Sequence, residues 1–433
     1  MKVFLKTLGC PKNQVDSERI LWALKRNNAT LTGDERKADT LIINTCGFTE
    51  DAKQESIDAI LALAEIKKSR PEVKLCVAGC LSQRYRDDLT SQIPEIDYIY
   101  GVDELDAIIK ELADSQVSAP PDPDDPRRIL GSPPHFAYLK ISEGCSNNCS
   151  FCVIPLIRGP YKSRDPEQIV KEARQLAKGG VKELVVVAQD TTLYGADIRL
   201  DNGLGALLDQ LSDIEEIEWI RVMYMYPPLV TDRLIERFSR LEKVVPYFDI
   251  PFQHASGRIL AAMNREETER SIRNLVDKIR QSVPGASIRT SFIVGFKGET
   301  DKDFETLLKM VEDIRFDHLG AFIYSPEEES AAYKLPASRT PMIKARERFD
   351  RLMSAQQEIS RRLLSDKVGR VMDVIVDGID EEETLLTGRT KHQAPEIDGT
   401  VILDSFSAAV GSIIPVKIVG ATDYDLIGQA PDI

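Results

Sequence analysis

The chain runs to 433 residues, of which 42% are hydrophobic and 29% charged, and carries a net charge of −14 at neutral pH. That length supports two or three domains with separate cores; no apolar run approaches a membrane span, and Met1 to Gly9 meets Cys10 and charged residues too soon for a signal peptide. Seven cysteines in such a chain point to metal ligation in a reducing cytoplasm rather than to disulfides, and the excess of acid argues against a phosphate backbone as the main partner.

In chain order, Val3 to Leu8 is apolar, and Cys10 follows in the loop Leu8-Gly9-Cys10-Pro11-Lys12-Asn13. Val15, Ile20, Leu21 and Leu24 then mark one face of a helix, with Asp16, Glu18 and Arg19 outside it. Thr40 to Asn44 reads as a buried strand with Cys46-Gly47 directly after it. A helix from near Glu50 to Lys68 leads to a third strand, Val73 to Ala78, followed by Gly79-Cys80. This βαβαβ alternation predicts parallel strands. Loops after the carboxyl ends of parallel strands gather on one edge, where ligands bind. Cys10, Cys46 and Cys80 each occupy such a loop, so they are expected to converge as ligands of one cluster; three unrelated buried cysteines are the alternative. Cys76 lies inside the third strand and reads as a core residue.

From Ala119 to Pro134 the composition changes to prolines interleaved with Asp122, Asp124 and Asp125. No helix or central strand tolerates that density, so an extended linker or strap is expected over 114–134, closing a first domain of 1–113. A middle domain, 135–364, alternates candidate strands with amphipathic helices such as Pro166 to Lys178 and Glu267 to Arg280. The strands are Ala137–Ile141, Leu184–Ala188, Trp219–Tyr224, Tyr247–Phe252, Ser287–Val294 and His318–Tyr324. Six β/α units are too few for a closed eight-stranded barrel, and they predict an open, partial (β/α)6 barrel whose strand ends carry the chemistry.

Directly after the first of these strands stands Cys145-Ser146-Asn147-Asn148-Cys149-Ser150-Phe151-Cys152, a CxxxCxxC run. Three thiolates this close can hold three irons of a four-iron cluster and leave the fourth without a protein ligand. Structural clusters normally use four cysteines, and structural zinc also wants four closed positions. No fourth Cys or His follows within a turn or two, and the next histidine is His254. An open iron suits a cluster that binds a small molecule and passes it an electron; a zinc knuckle is the alternative. After Ser365, short strands (Val371–Val376, Leu385–Gly388, Thr400–Leu403, Ile413–Val419) suggest a small β-barrel over 365–433. From Asp366 onward it has five basic residues against thirteen acidic ones. Its run Asp380-Glu381-Glu382-Glu383 reads as a solvated hairpin tip.

With these motifs in hand, and with Phe151 before the last Cys of the run, the chain resembles the radical S-adenosylmethionine (SAM) methylthiotransferases over nearly its whole length. Further stretches carry the resemblance: Asn44-Thr45-Cys46-Gly47, Tyr138 to Cys145, Asp249 to Ser256, and Ala394 to Gly399. The resemblance is strongest to the branch that modifies an aspartate of the twelfth small-subunit ribosomal protein. It implies an N-terminal methylthiotransferase domain, a radical SAM barrel and a C-terminal TRAM barrel. It also implies SAM and two 4Fe–4S clusters with three Cys ligands each as cofactors. The cluster on Cys145, Cys149 and Cys152 would cleave SAM so that a hydrogen is taken from the aspartate β-carbon. The one on Cys10, Cys46 and Cys80 would supply sulfur, and another SAM the methyl group. General bases act on acidic protons, and a C–H of this kind is not one, so the cofactors carry the chemistry.

For SAM itself the resemblance leaves several candidates. Arg158 and Arg164, flanking Gly159 and Ser163, could meet its carboxylate through a forked contact, or form plain ion pairs. Gln189 could bond SAM or cap a loop. Gln253 and His254 could face the adenosine, although a lone His is more often structural, and Gly295 after Ile293 and Val294 could admit the adenine close to backbone. Lys297, Glu329 and Ser330 depart from the family pattern, where proline, glycine and threonine are usual. Expected partners are the ribosomal protein, an electron donor such as flavodoxin or ferredoxin, and a sulfur source, with no membrane and no direct nucleic-acid binding. A formal charge of 5 − 13 = −8 on the C-terminal barrel suits a basic ribosomal protein better than RNA. A tRNA adenosine methylthiotransferase is the alternative enzyme, and an iron–sulfur scaffold the alternative without turnover.

Overall fold

The structure, a computed structural model, describes residues 1–112, 125–379, 385–404 and 407–431. Strands β1 (Lys2–Thr7), β2 (Thr30–Leu31), β3 (Thr40–Thr45), β4 (Lys74–Gly79) and β5 (Tyr98–Ile99) form one sheet in the order β2-β1-β3-β4-β5. Every pair is parallel. The expected helix after β1 spans Pro11–Arg26, with Pro11 in its first turn, where a missing N–H costs nothing. Its apolar residues Ile20 and Leu24 pack on the sheet. Its polar face differs from a solvated one: Asp16, Ser17 and Glu18 are buried because that face docks on the middle domain.

The middle domain carries the six expected strands: β6 (Phe136–Lys140), then β9 (Glu183–Val187), β10 (Trp219–Val222), β11 (Val244–Asp249), β12 (Ser287–Val294) and β13 (His318–Ile323). A two-stranded ribbon, β7 (Ser142–Glu143) with β8 (Lys162–Ser163), stands after β6. The six pair in sequence order, all parallel, as an open partial barrel. Strand β10 stops short of the expected Tyr224 because that residue takes a left-handed φ of 59°, which no strand continues. The helix expected from Glu267 begins at Glu269, where Thr268 caps it through a capping box with Ser271.

The described half of the proline segment is a strap. Asp125 accepts from Trp22 Nε1 (3.1 Å), and Gly131 N–H donates to Glu18 Oε1 (2.8 Å), binding it to the helix Pro11–Arg26. Beneath it Glu172, fully buried, joins Arg19 (2.9 Å), Arg128 (3.3 Å) and Arg164 (2.7 Å) across the two domains. Pro120, Pro121, Pro123 and the acid run Asp380 to Glu383 lie outside the described residues.

The C-terminal strands β14 (Val371–Ile379), β15 (Leu386–Thr390), β16 (Val401–Leu403), β17 (Ile413–Ala421) and β18 (Leu426–Gln429) close a barrel in the order β14-β15-β16-β18-β17. It seals the end of the open barrel at which the strands begin. Arg389 bridges Glu183, the first residue of β9 (2.8 Å), and Asp377 (2.7 Å). Asp377 also meets His135 just before β6 (2.7 Å). Tyr138 and Tyr247 donate their hydroxyls to Glu396 and Asp398, 2.6 Å each. Three of the thirteen acids, Asp377, Glu396 and Asp398, are thereby consumed in holding the molecule together, so they are not free to face a partner. No helix among the described residues is long and apolar enough to cross a membrane.

Candidate functional site

Three βα loops of the N-terminal sheet are stitched together by two asparagines. Asn13, in the first turn of its helix, donates from Nδ2 to the carbonyls of Leu8 (2.9 Å) and Thr45 (3.0 Å). Asn44 at the end of β3 donates to the Asn13 carbonyl (2.9 Å) and Ser17 Oγ (3.0 Å). Cys10, Cys46 and Cys80 stand on these loops. Cys10 precedes the helix Pro11–Arg26; Cys80 opens the helix Cys80–Arg84 straight after β4, its Sγ 3.9 Å from Asn13 Oδ1. Ser56 Oγ clasps the Cys46 backbone, accepting from its N–H (3.0 Å) and donating to its carbonyl (2.8 Å). Close approach makes glycine necessary beside each: a Cβ on Gly9 would lie 2.7 Å from Cys46 Cβ, and one on Gly47 2.8 Å from Leu81 Cα.

Two cations enter this triad. Arg158, from the middle domain, donates to Asn13 Oδ1 (2.5 Å) and to Glu143 Oε1 (2.8 Å) and lies against Cys80. Lys12 is buried beside Cys10, over the ring of Tyr224. Burial alone would raise the Cys10 thiol, but Lys12 and Arg158 outweigh it and hold that thiol below its ordinary value. Burial pushes Cys46 up and Cys80 up to about 11.

The second triad sits in one loop pinned from three sides. Asn147 donates to Asp190 Oδ2 (2.8 Å); Ser150 bonds the carbonyls of Met263 and Ala262 (2.9 and 2.7 Å); Asn264 donates to the Asn148 carbonyl (2.7 Å). Gly144, at a φ of 73°, packs its bare Cα against the Gly159 and Pro160 carbonyls. Cys149 Sγ receives Arg265 Nη1 at 3.7 Å and Cys152 Sγ receives the Ile154 N–H at 3.4 Å. Burial raises Cys145 to about 11 and Cys152 to about 12. Thiols that keep their protons this firmly release them to a metal rather than to water.

All seven cysteines are unpaired. Among the described residues no set of three Cys, His, Asp or Glu side chains is drawn tightly enough around one point to hold a single metal ion. Three thiols with a cation beside them, Lys12 and Arg158 at one triad and Arg265 at the other, are a donor set that fits the negative charge of a four-iron cluster, in which each thiolate binds a different iron. Cys76 lies fully buried in β4, away from both.

The expected SAM-binding residues divide. Gln189, after β9, donates to Glu143 Oε1 (2.9 Å) and leaves its own Oε1 buried without a partner among the described residues, an acceptor open to a ligand amino group. Glu143 gathers Lys140, Arg158 and Gln189; burial would raise its carboxyl, but Lys140 and Arg158 hold it well below the usual carboxylate range. Arg164 is engaged by Glu172 and by the Lys140 carbonyl, which is the ion-pair arrangement. Gln253 takes a φ of 69° and bridges to Phe292 in backbone. His254 turns toward the helix layer, where Ser256 N–H donates to its Nδ1 (2.9 Å); burial lowers it to about 3, so the ring is neutral. Gly295 packs against Ala345, whose Cβ would stand 2.7 Å from an added Cβ, so its near neighbour is the helix Met342–Ser365. Phe151 packs beside Met263 and Phe296.

The two departures have structural work. Lys297 holds the carbonyls of Tyr333 (2.5 Å) and Leu335 (3.3 Å). Glu329 with Glu327 meets Arg84 of the N-terminal domain (3.5 and 2.8 Å), and Arg84 also donates to the Gly47 carbonyl beside Cys46 (2.9 Å). Sequence reasoning missed Asn13, Glu143, Arg265 and Lys12 as site residues; their nearness to cysteines in the chain was the available signal for Asn13, Lys12 and Glu143, and none existed for Arg265.

Residues 2–101 match the model of an uncharacterized protein family, UPF0004; residues 139–311 match the radical SAM superfamily and 368–430 the TRAM domain. The chain is 45% identical to the ribosomal protein uS12 methylthiotransferase RimO of Clostridioides difficile (strain 630) over 439 aligned residues, covering 99% of this chain and 98% of the relative. The RimO of Trichlorobacter lovleyi is 45% identical with the same coverage. Among solved structures, the radical SAM methyltransferase TsrM of Kitasatospora setae superposes with a TM-score of 0.54 at 13% identity, over 75% of this chain and 74% of that one, a likeness of fold.

Proposed function

The chain belongs to the RimO family of radical SAM methylthiotransferases, and from that premise we propose that it methylthiolates the β-carbon of an aspartate in ribosomal protein uS12. What carries this reading is the 45% identity sustained over 99% of the chain. The enzyme uses SAM and 4Fe–4S clusters. Cys145, Cys149 and Cys152 would hold one cluster with SAM beside it, and Cys10, Cys46 and Cys80 the other. Bound there, these groups supply the hydrogen abstraction and the sulfur and methyl groups transferred.

The protein's own part is placement. Glu143 fixes Lys140, Arg158 and Gln189 at the mouth of the barrel beside Cys145. Arg158 reaches from there to Asn13 and so ties the barrel to the loops of the N-terminal triad. Cys80 and Cys145 are buried, while Cys10, Cys46, Cys149 and Cys152 are half-buried, which leaves each triad a side open to a ligand. An electron donor such as flavodoxin or ferredoxin, and a sulfur source, complete the reaction in the cytoplasm. Mass spectrometry of uS12 and of tRNA from a deletion strain tests the reading: uS12 should lose its methylthio group and tRNA should be unchanged. Loss from tRNA adenosine with uS12 intact would overturn it.

A further inference from the structure

Burying a charge is costly unless it finds a partner. Every other buried lysine or arginine among the described residues has a carboxylate, from Arg128 with Glu18 to Arg389 with Glu183. Lys12 is the exception. It is 8% exposed, and no hydrogen-bond acceptor or ion-pair partner reaches its ammonium among the described residues. Its contact is the face of Tyr224, with Nζ 3.9 Å from the ring centroid. A cation on a ring face is held in place while its three N–H donors stay available.

That platform is itself fixed. Tyr224 stands in the left-handed region at a φ of 59°, an uncommon conformation for a bulky residue, and sits just past the end of β10. Its N–H donates to Asp249 Oδ2 (2.9 Å), and its carbonyl accepts from the Thr191 N–H (3.1 Å). The ammonium therefore stands where the N-terminal triad, through Cys10, meets the crest of the barrel. Strained backbone, a pinned ring and a buried ammonium that no carboxylate reaches among the described residues stand at one point beside Cys10, and they describe a built anion site.

We propose that Lys12 binds the carboxylate of the acceptor aspartate and so presents its β-carbon between the two triads. This rests on the methylthiotransferase reading above and names the group that recognises the substrate. A carboxylate matches a single ammonium, and a neutral amide or a nucleobase does not. Lys12 also belongs to the domain of the sulfur-supplying triad.

The test is equilibrium binding to the holoenzyme with both clusters, in the presence of SAM and without reductant, so that no turnover intervenes. Labelled uS12 is compared with a uS12 whose acceptor aspartate is asparagine. The unaltered enzyme should prefer the aspartate form by about tenfold or more, the worth of a hydrogen bond to a charged group. Lys12→Met should bind both forms alike, and Lys12→Arg should recover part of the preference. Iron content is measured in parallel. If Lys12→Met fails to keep both clusters, Tyr224→Leu, which removes the platform and leaves the charge, should show a reduced preference in the same titration. The inference is overturned if Lys12→Met, or Tyr224→Leu in its place, keeps the full preference. It is also overturned if the variant loses SAM affinity with its preference intact, which would assign the ammonium to SAM. If the unaltered enzyme shows no preference and leaves uS12 unmodified, the substrate reading itself falls, and the Lys12 inference with it.

Discussion

The two cysteine triads are built in opposite ways. Cys145, Cys149 and Cys152 share one loop, and the barrel merely pins that loop by its asparagines and Ser150. Cys10, Cys46 and Cys80 come from three separate crossovers, and Asn13 and Asn44 hold the loops in register. The first triad is a local sequence feature set on a scaffold; the second is assembled by the topology of the sheet, and Arg158 of the neighbouring domain bonds to Asn13 within it. A local loop can be read from spacing. A dispersed site can be read only through topology.

Removing one ligand from each triad separates their roles most sharply. Cys149→Ala should abolish both SAM cleavage and methylthiolation, bringing 5′-deoxyadenosine and modified uS12 to background. Cys80→Ala should keep some reductive SAM cleavage while methylthiolation is lost. Liquid chromatography of both products checks this, and near-normal methylthiolation by Cys80→Ala would remove the second triad from the reaction.

The same contrast explains what was legible in the sequence. The strands of both sheets follow from apolar runs, and the six cysteines from their places after strands, because parallel topology brings such loops to one edge. Arg158 and Arg164 stood out as a pair, yet their partners are Asn13, Glu143 and Glu172, and no periodicity forecasts an ion pair across two domains. For the same reason Asp16 and Glu18 read as a solvated helix face when they form an interface. Asp377 read as one more acid on the C-terminal barrel, and it is the anchor of His135 and Arg389. Reversing its charge would damage the fold before it tested any partner.

A glycine pair tests the two constructions through backbone alone. Gly79, at a φ of 104°, precedes Cys80, and a Cβ there would press on Asn44 Oδ1 and stand 2.6 Å from the Thr45 carbonyl oxygen. A Cβ on Gly144, before Cys145, would stand 2.6 Å from the Gly159 carbonyl oxygen. Gly79→Ala and Gly144→Ala should each cost about 1–3 kcal/mol of local strain. Iron analysis should find the first losing the cluster of the dispersed triad and the second that of the loop. If both lose the same cluster, the two sites are not independent constructions.

A smaller effect is expected at Arg265, the cation bonded to the loop triad. Arg265 donates toward Cys149 Sγ at 3.7 Å and stacks on Tyr226, 4.4 Å from its centroid, while Glu267 (2.8 Å) partly offsets its charge. Hydrogen bonds and charge at cluster sulfurs help set the reduction potential. Arg265→Met should move that cluster's potential negative by about 60 mV, the one-electron equivalent of roughly 1.4 kcal/mol. Redox titration followed by electron paramagnetic resonance checks it; the other cluster's potential should stay in place.

The mildest change is at the cysteine that belongs to neither triad. Cys76 lies in the middle of β4, opposite Ile42 and Tyr98, and packs with Val3, Ile20 and Leu24 between the sheet and the helix Pro11–Arg26. Four residues of extended chain put it about 13 Å from Cys80, too far to share a cluster. Burial raises its thiol far above the ordinary value and Asp97 adds to the rise, whereas Cys10 has Lys12 and Arg158 to draw it down. It is therefore a small apolar side chain that happens to contain sulfur. Cys76→Ser places a hydroxyl there without an evident partner, and stability should fall by about 1–3 kcal/mol in chemical denaturation. Iron should stay at the amount of two clusters, because the loops at the strand ends are untouched. A variant that loses one cluster's iron while remaining folded would make Cys76 a ligand, and the dispersed triad would then have to be redrawn around it.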